Sequence, residues 1–134
     1  DNGLHGLIAS TIDQSTGVIW DNGNNDQTDA ASDGIGGGKA NTFYIRAVNG
    51  YANYAARLCD IYNAGGFGDW YLPSKYELNL LYAQKAVVGG FANAAYWSSS
   101  EYNSLYGYEQ DFSNGTIAEE FKTATNRVRA IRAF

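Results

Sequence analysis

Two short stretches near the start of the chain, Gly6 to Ile12 and Gly17 to Trp20, carry apolar and β-branched residues. Gln14-Ser15-Thr16-Gly17 between them predicts a turn joining two strands. From Asp21 to Lys39 the pattern dissolves into Asp, Asn and Gly, ending in Gly34-Ile35-Gly36-Gly37-Gly38, which predicts a long loop. Loops of that length in compact domains are usually functional or mobile. Two helices follow. The first is predicted from a cap at Asn41 to about Val48, broken by Asn49-Gly50. The second, from about Tyr51 to Tyr62, sets Tyr51, Tyr54, Ala55, Leu58 and Tyr62 at helical spacing and stops at Gly65-Gly66.

Asp69 to Leu72 reads as a short extended segment. Pro73-Ser74 then opens a third helix, with Ser74 and Glu77 as a capping box, Leu78, Leu81 and Tyr82 as its apolar stripe, and Gly89-Gly90 as its end. The last third alternates as strands do: Ala95 to Ser100, Tyr106 to Phe112, a turn at Ser113-Asn114-Gly115, a return from Thr116 to Thr123, and a closing strand from Arg127 to Phe134. Strands at both ends with two to three helices between them predict one α+β domain over residues 1–134, its terminal strands paired in an antiparallel sheet.

Composition narrows this further. Of 134 residues, 45% are apolar and 17% charged, which excludes the disordered class. No apolar run is long enough to cross a bilayer, so membrane insertion is not expected. Asp1 reads as the edge of an excised domain, with any export signal removed or upstream. Cys59, the single cysteine, sits on the buried face of the second helix and reads as an inert core thiol, so packing holds the fold without a disulfide. Eleven Tyr, three Trp and six Phe suit a core edge or a binding surface equally.

Charge changes the picture most. Residues 1–38 hold Asp1, Asp13, Asp21, Asp26, Asp29 and Asp33 and no base, whereas residues 121–134 hold Lys122, Arg127, Arg129 and Arg132 and no acid. A basic tail keeps polyanion partners open despite the net charge of −5. Arg offers a planar fork that matches sulfate as it matches phosphate. Alternation puts Arg127 and Arg129 on one face of the last strand and Arg132 on the other. Lys122, beside the hairpin return, is expected to be exposed. The bland alternative makes these Arg half-buried ion-pair partners of Glu77 or Glu101. Lys39, Arg46, Arg57, Lys75 and Lys85 are scattered over the predicted loops and helices. Among the aromatics, Trp97 and Phe112 read as core, and Tyr102 and Tyr106, between strands, as surface rings able to stack on sugars.

Other chemistry finds little support. Asp21 to Asp29 is rich in oxygen ligands, but Asp26 stands where an EF-hand needs Gly and Ser32 where it needs Glu, so a solvated loop and no metal or cofactor is expected. Gly34 to Lys39 lacks the Ser or Thr of a phosphate loop. His5 is the only histidine, Ser98-Ser99-Ser100 has no base nearby, and Asp69 with Glu77 or Glu119 with Glu120 are pairings that chance supplies. An enzyme is the weakest reading.

Three motifs in order, Asp69-Trp70-Tyr71-Leu72-Pro73-Ser74 running on to Tyr82, Tyr96-Trp97-Ser98-Ser99-Ser100-Glu101-Tyr102, and Arg127-Val128-Arg129-Ala130-Ile131-Arg132-Ala133-Phe134, resemble the C-terminal domain family of the Legionella collagen-like adhesin. The resemblance covers nearly the whole chain. It implies a C-type-lectin-like fold, a place after a collagen-like stalk, a homotrimer, a secreted or bacterial-surface location, and binding of sulfated glycosaminoglycans of host or matrix. The paired disulfides and the Glu-Pro-Asn or Gln-Pro-Asp calcium triplet of animal C-type lectins are absent, so calcium-dependent monosaccharide recognition is not implied. Formylglycine-generating enzymes share that fold but use cysteine chemistry, which a lone helix-buried Cys59 does not suit. The expected ligand site is Lys122, Arg127 and Arg129 for anionic groups with Tyr102 and Tyr106 for sugar rings. The alternative is a host matrix protein held by the aromatic loops; nucleic acid is not an expected partner.

Overall fold

The computed structural model describes residues 5–134. The two ends of the chain meet: β1 (Leu7–Ala9) runs antiparallel to β7 (Ile131–Ala133), with Ile8 opposite Arg132. The predicted first hairpin is not formed. β2 (Ser15–Val18) pairs with β6 (Asn126–Val128) instead, and the chain turns through Ser10–Gln14, where the Gln14 amide donates to Ser10 Oγ and to the Ile12 carbonyl. The single closing strand expected from Arg127 to Phe134 is likewise divided. It leaves one sheet after Val128 and enters another at Ile131, with Arg129-Ala130 at the bend.

The larger sheet is β2-β6-β3-β4-β5, where β3 is Ala95–Glu101, β4 Tyr106–Asp111 and β5 Ile117–Phe121. It is mixed rather than purely antiparallel, because β3 and β6 run parallel at Tyr96 and Arg127. The β4–β5 hairpin turns at Asn114-Gly115 as predicted, Gly115 at φ 84°, and sets Tyr106 opposite Phe121 and Tyr108 opposite Glu119.

Helix α1 (Gly37–Asn49) begins four residues before the expected cap. Asn41 is buried inside it, clamping the preceding loop through bonds to Ser32 N and O. Its start is capped from elsewhere: the buried Glu77 carboxylate accepts from Gly36 N and Gly38 N, as well as from Ser74 N and the Tyr71 hydroxyl. The glycine run is thus a packing feature. A Cβ on Gly38 would stand 2.4 Å from the Leu72 carbonyl oxygen. Helix α2 is shorter than its periodicity suggested, Ala55–Asp60. α3 (Lys75–Ala83) has the predicted capping box, and Gln84 separates it from α4 (Lys85–Val88).

Two apolar clusters flank β3. One joins Trp20, Ile45, Tyr54, Cys59 and Trp97 beneath α1 and α2; the other joins Tyr71, Leu78, Tyr96, Phe112 and Ile131 beneath α3. Trp20 and Trp97 satisfy their indole N–H groups on the Ser98 and Val18 carbonyls. Burial pushes the Cys59 thiol up, helped by Asp60, so it stays protonated and inert. Among the described residues the architecture is α+β, a five-stranded mixed sheet and a terminal ribbon with four α-helices, consistent with a lectin-like fold.

Candidate ligand-binding site

The basic tail is engaged with acids. Lys122 is not at the surface as expected: it is fully buried, donating to Glu101 Oε2 at 2.7 Å and the Asp26 carbonyl at 3.0 Å, with its ammonium over the Trp20 ring. The reason is register. Phe121 ends β5 facing out, so the next residue turns inward beneath the Asp-rich loop. Glu101 completes the lock, accepting from Thr28 N and Oγ1, Asp29 N and the Gln27 amide.

Arg127 and Arg129 do share a face, as alternation required, and both reach Asp13, at 3.0 and 2.8 Å. Arg129 is sealed from solvent. It donates to the Ser10, Gly89 and Gly90 carbonyls and lies over the Phe91 ring, pinning the end of α4 to the terminal ribbon. Arg127 keeps a side chain 31% exposed. Arg132 grips Asp69 with two parallel bonds of 2.7 and 3.0 Å, which hold that carboxyl below its ordinary range. The arginines' partners are Asp13 and Asp69, neither of the two expected: Glu101 holds Lys122, and Glu77 serves helix caps.

The aromatic expectation fares differently. Trp97 and Phe112 are core, and Tyr102 is 53% exposed. Tyr102 meets the rings of Tyr106 and Tyr108 edge to face at 6.3 and 5.7 Å, and Tyr106 lies against Phe121 at 4.6 Å. Lys75, first residue of α3, sets its ammonium 4.3 Å from the centre of the Tyr108 ring. The result is a shelf of four touching rings with one ammonium at its edge. Sequence reading set Tyr108 only among the alternating aromatics able to stack, left Lys75 among the scattered cations, and missed Phe121. The hairpin register would have found Phe121, since a turn at Asn114-Gly115 pairs it with Tyr106. Lys75 carries no such signal, because α3 and β4 meet only in the folded chain.

The Asp-rich loop holds itself together. Asp21 is buried, its two oxygens accepting from Gly23 N and Asn25 N. Among the described residues no group of three or more His, Cys, Asp or Glu is arranged to hold a metal ion. His5 is exposed at the mouth of an apolar groove of about 730 Å³ between the terminal ribbon and α3–α4, bordered by Leu7, Leu80, Val87 and Phe134. No helix among the described residues is long and apolar enough to cross a membrane.

No curated protein matches the chain significantly. The model of the Lcl C-terminal domain family, by contrast, matches residues 9–132, a span holding the Asp13 and Glu101 ion pairs and the aromatic shelf. The chain belongs to the Lcl C-terminal domain family, an adhesin-type domain family.

Proposed function

We propose that this domain binds a sulfated polysaccharide at a bacterial surface, stacking sugar rings on Tyr102, Tyr106 and Phe121 and meeting a sulfate with Lys75. The observation that carries this reading is the shelf itself. Four rings in mutual contact face solvent on the β4–β5 hairpin and its preceding loop, where the core does not require them. Ring stacking on pyranose faces is tolerant of sequence and linkage, as base stacking on aromatic side chains is tolerant of base identity. Lys75 has no carboxylate partner among the described residues, so its ammonium keeps donors for an anion.

Family membership supports association into a homotrimer. Three shelves around one axis then engage a long chain by avidity, without any one contact being strong. The groove bordered by Leu80, Val87 and Phe134 offers apolar area for such association.

The deciding experiment is titration of heparin-like chains against the wild type and the Tyr102→Ala/Tyr106→Ala variant. Loss of each ring is expected to cost about 1–3 kcal/mol of binding, with the melting temperature little changed. Undiminished binding by the double variant sinks the shelf. A second reading, a matrix protein held by the same rings, draws on Leu105 and Phe121, both about half exposed beside the shelf. It predicts binding that changes little with salt, whereas a polyanion is released steeply.

A further inference from the structure

Helices α1 and α2 end side by side, and each brings a guanidinium to the junction. Arg46 stands in the last turn of α1 and Arg57 in the last turn of α2. Both converge on the Tyr54 hydroxyl, which donates to the Gly50 carbonyl; the two cations offset part of the upward push that burial gives that phenol. One carboxylate serves the pair. Asp60 is joined to Arg46, and Arg57 has no acceptor among the described residues. The Nε of each Arg is buried without a hydrogen-bond partner.

A helix C-terminus accounts for a cation near its last carbonyls. It does not account for Arg57 standing without a carboxylate partner among the described residues, while Arg46 beside it has Asp60. Nor does it account for Tyr51, which is 88% exposed just beyond the α1 cap and lies under the Arg57 guanidinium, 6.0 Å from the ring centre. Along α1, Lys39, Phe43 and Arg46 follow at four- and three-residue spacing, one stripe about 10 Å long. Lys39 and Phe43 border a shallow hollow at its start, and Phe43 is 70% exposed. Cations and rings thus alternate along an exposed helix face, on elements that take no part in the β4–β5 shelf.

We infer that Arg57, with Tyr51 beside it, forms a second subsite that receives a sulfate ester of a polysaccharide, the chain running along the α1 stripe toward Lys39. The terminal N–H groups of Arg57 supply donors that a tetrahedral oxyanion accepts in pairs, and Tyr51 supplies a flat face for the attached sugar. This inference rests on the polysaccharide reading for the class of ligand, but on different residues for the site.

The test follows the Arg Nε resonances and the tyrosine rings by NMR while a heparin-derived hexasaccharide, or the same hexasaccharide after desulfation, is added. The expected result is a shift of Arg57 Nε and Tyr51 with the sulfated chain alone. Arg57→Gln is expected to weaken its binding on the order of tenfold, and Arg57→Lys, which keeps charge but not the fork, to restore only part. Folding should survive both changes, since Arg57 has no protein acceptor to lose; were a variant to unfold, the wild-type Nε shift still decides. A sulfated chain that moves Tyr106 and Tyr108 but leaves Arg57 untouched overturns the subsite and spares the shelf. One that moves neither overturns both. Equal shifts with the desulfated chain overturn the assignment to sulfate.

Discussion

Lys122 Nζ lies 2.7 Å from Glu101 Oε2, and neither side chain is more than 2% exposed. The pair sits beneath the loop that joins β2 to α1, and the same carboxylate receives N–H groups from Gln27, Thr28 and Asp29. A buried cation replaces solvent as the organiser of an acid-rich loop. Removing one partner leaves the other charged in the interior, which typically costs about 3–5 kcal/mol, whereas replacing both by apolar residues is often far milder. Lys122→Ala is therefore expected to lower stability by that amount in denaturant titration, and Lys122→Met/Glu101→Leu by less than the sum of the single changes. Amide exchange in residues 26–29 should quicken in both. A Lys122→Ala protein as stable as wild type would show the pair to be dispensable.

Asp13 is the second such centre, holding Arg127, Arg129 and the Tyr96 hydroxyl together. Its two guanidiniums differ in setting, which separates their mutants. Arg129→Ala removes four sets of bonds and opens space over Phe91, so it should cost at least about 3 kcal/mol. Arg127→Ala removes the more exposed of the two cations and leaves Asp13 paired with Arg129, so it should cost about 0–1 kcal/mol. Thermal melts of the two variants check the order, and a reversed order refutes the assignment.

Glu109 gives the chain a pH signature. Burial, then repulsion from Glu120 and Asp111, raises its carboxyl above the ordinary value despite the bond from the Asn126 amide. A raised acid binds more protons folded than unfolded, so it favours folding below its unfolded pKa. That contribution is lost as pH rises through the folded value. Glu109→Gln, which can still accept from Asn126, should raise the melting temperature at pH 7 and change it little at pH 4. Asp69 runs the opposite way. Held low by Arg132, it adds stability above its unfolded pKa that disappears as pH falls through the folded value. Asp69→Asn should therefore cost stability at pH 7 and little in strong acid.

Where the sequence was legible, local chemistry and final structure agreed. Ser74 and Glu77 cap α3 because the capping box needs only a four-residue window. Asn114-Gly115 turns the hairpin because φ is positive there and Gly costs nothing in that region. What could not be read was set by neighbours distant along the chain. β2 pairs with β6, more than a hundred residues away, so no local turn signal could place it. α1 starts at Gly37 rather than Asn41 because Glu77, some forty residues on, supplies the cap its own sequence lacks. The tail cations looked like a patch for the same reason: Asp13, Asp69 and Glu101 meet them only after folding, and a linear count of charge does not see a partner across a sheet.

The same distinction yields the sharpest prediction about binding. A cation already neutralised by a fixed carboxylate releases few counterions from an incoming polyanion, because its field is largely cancelled before contact. Arg127 is in that position against Asp13 at 3.0 Å; Lys75, poised over Tyr108, is not. Heparin affinity measured between 50 and 200 mM salt should therefore give a slope of log affinity against log salt that Lys75→Ala flattens by close to one charge. Arg127→Ala should leave the slope as it was. Lys75→Ala should also leave the melting temperature nearly unchanged, since a partly exposed cation over a ring contributes about 0.5–1 kcal/mol. Tyr108→Phe keeps the ring face and should change neither quantity, while Tyr108→Ala removes the ammonium's seat and should weaken binding without altering the slope. A slope that falls with Arg127→Ala and stays fixed with Lys75→Ala would move the polyanion from the β4–β5 shelf to the Asp13 face of the sheet.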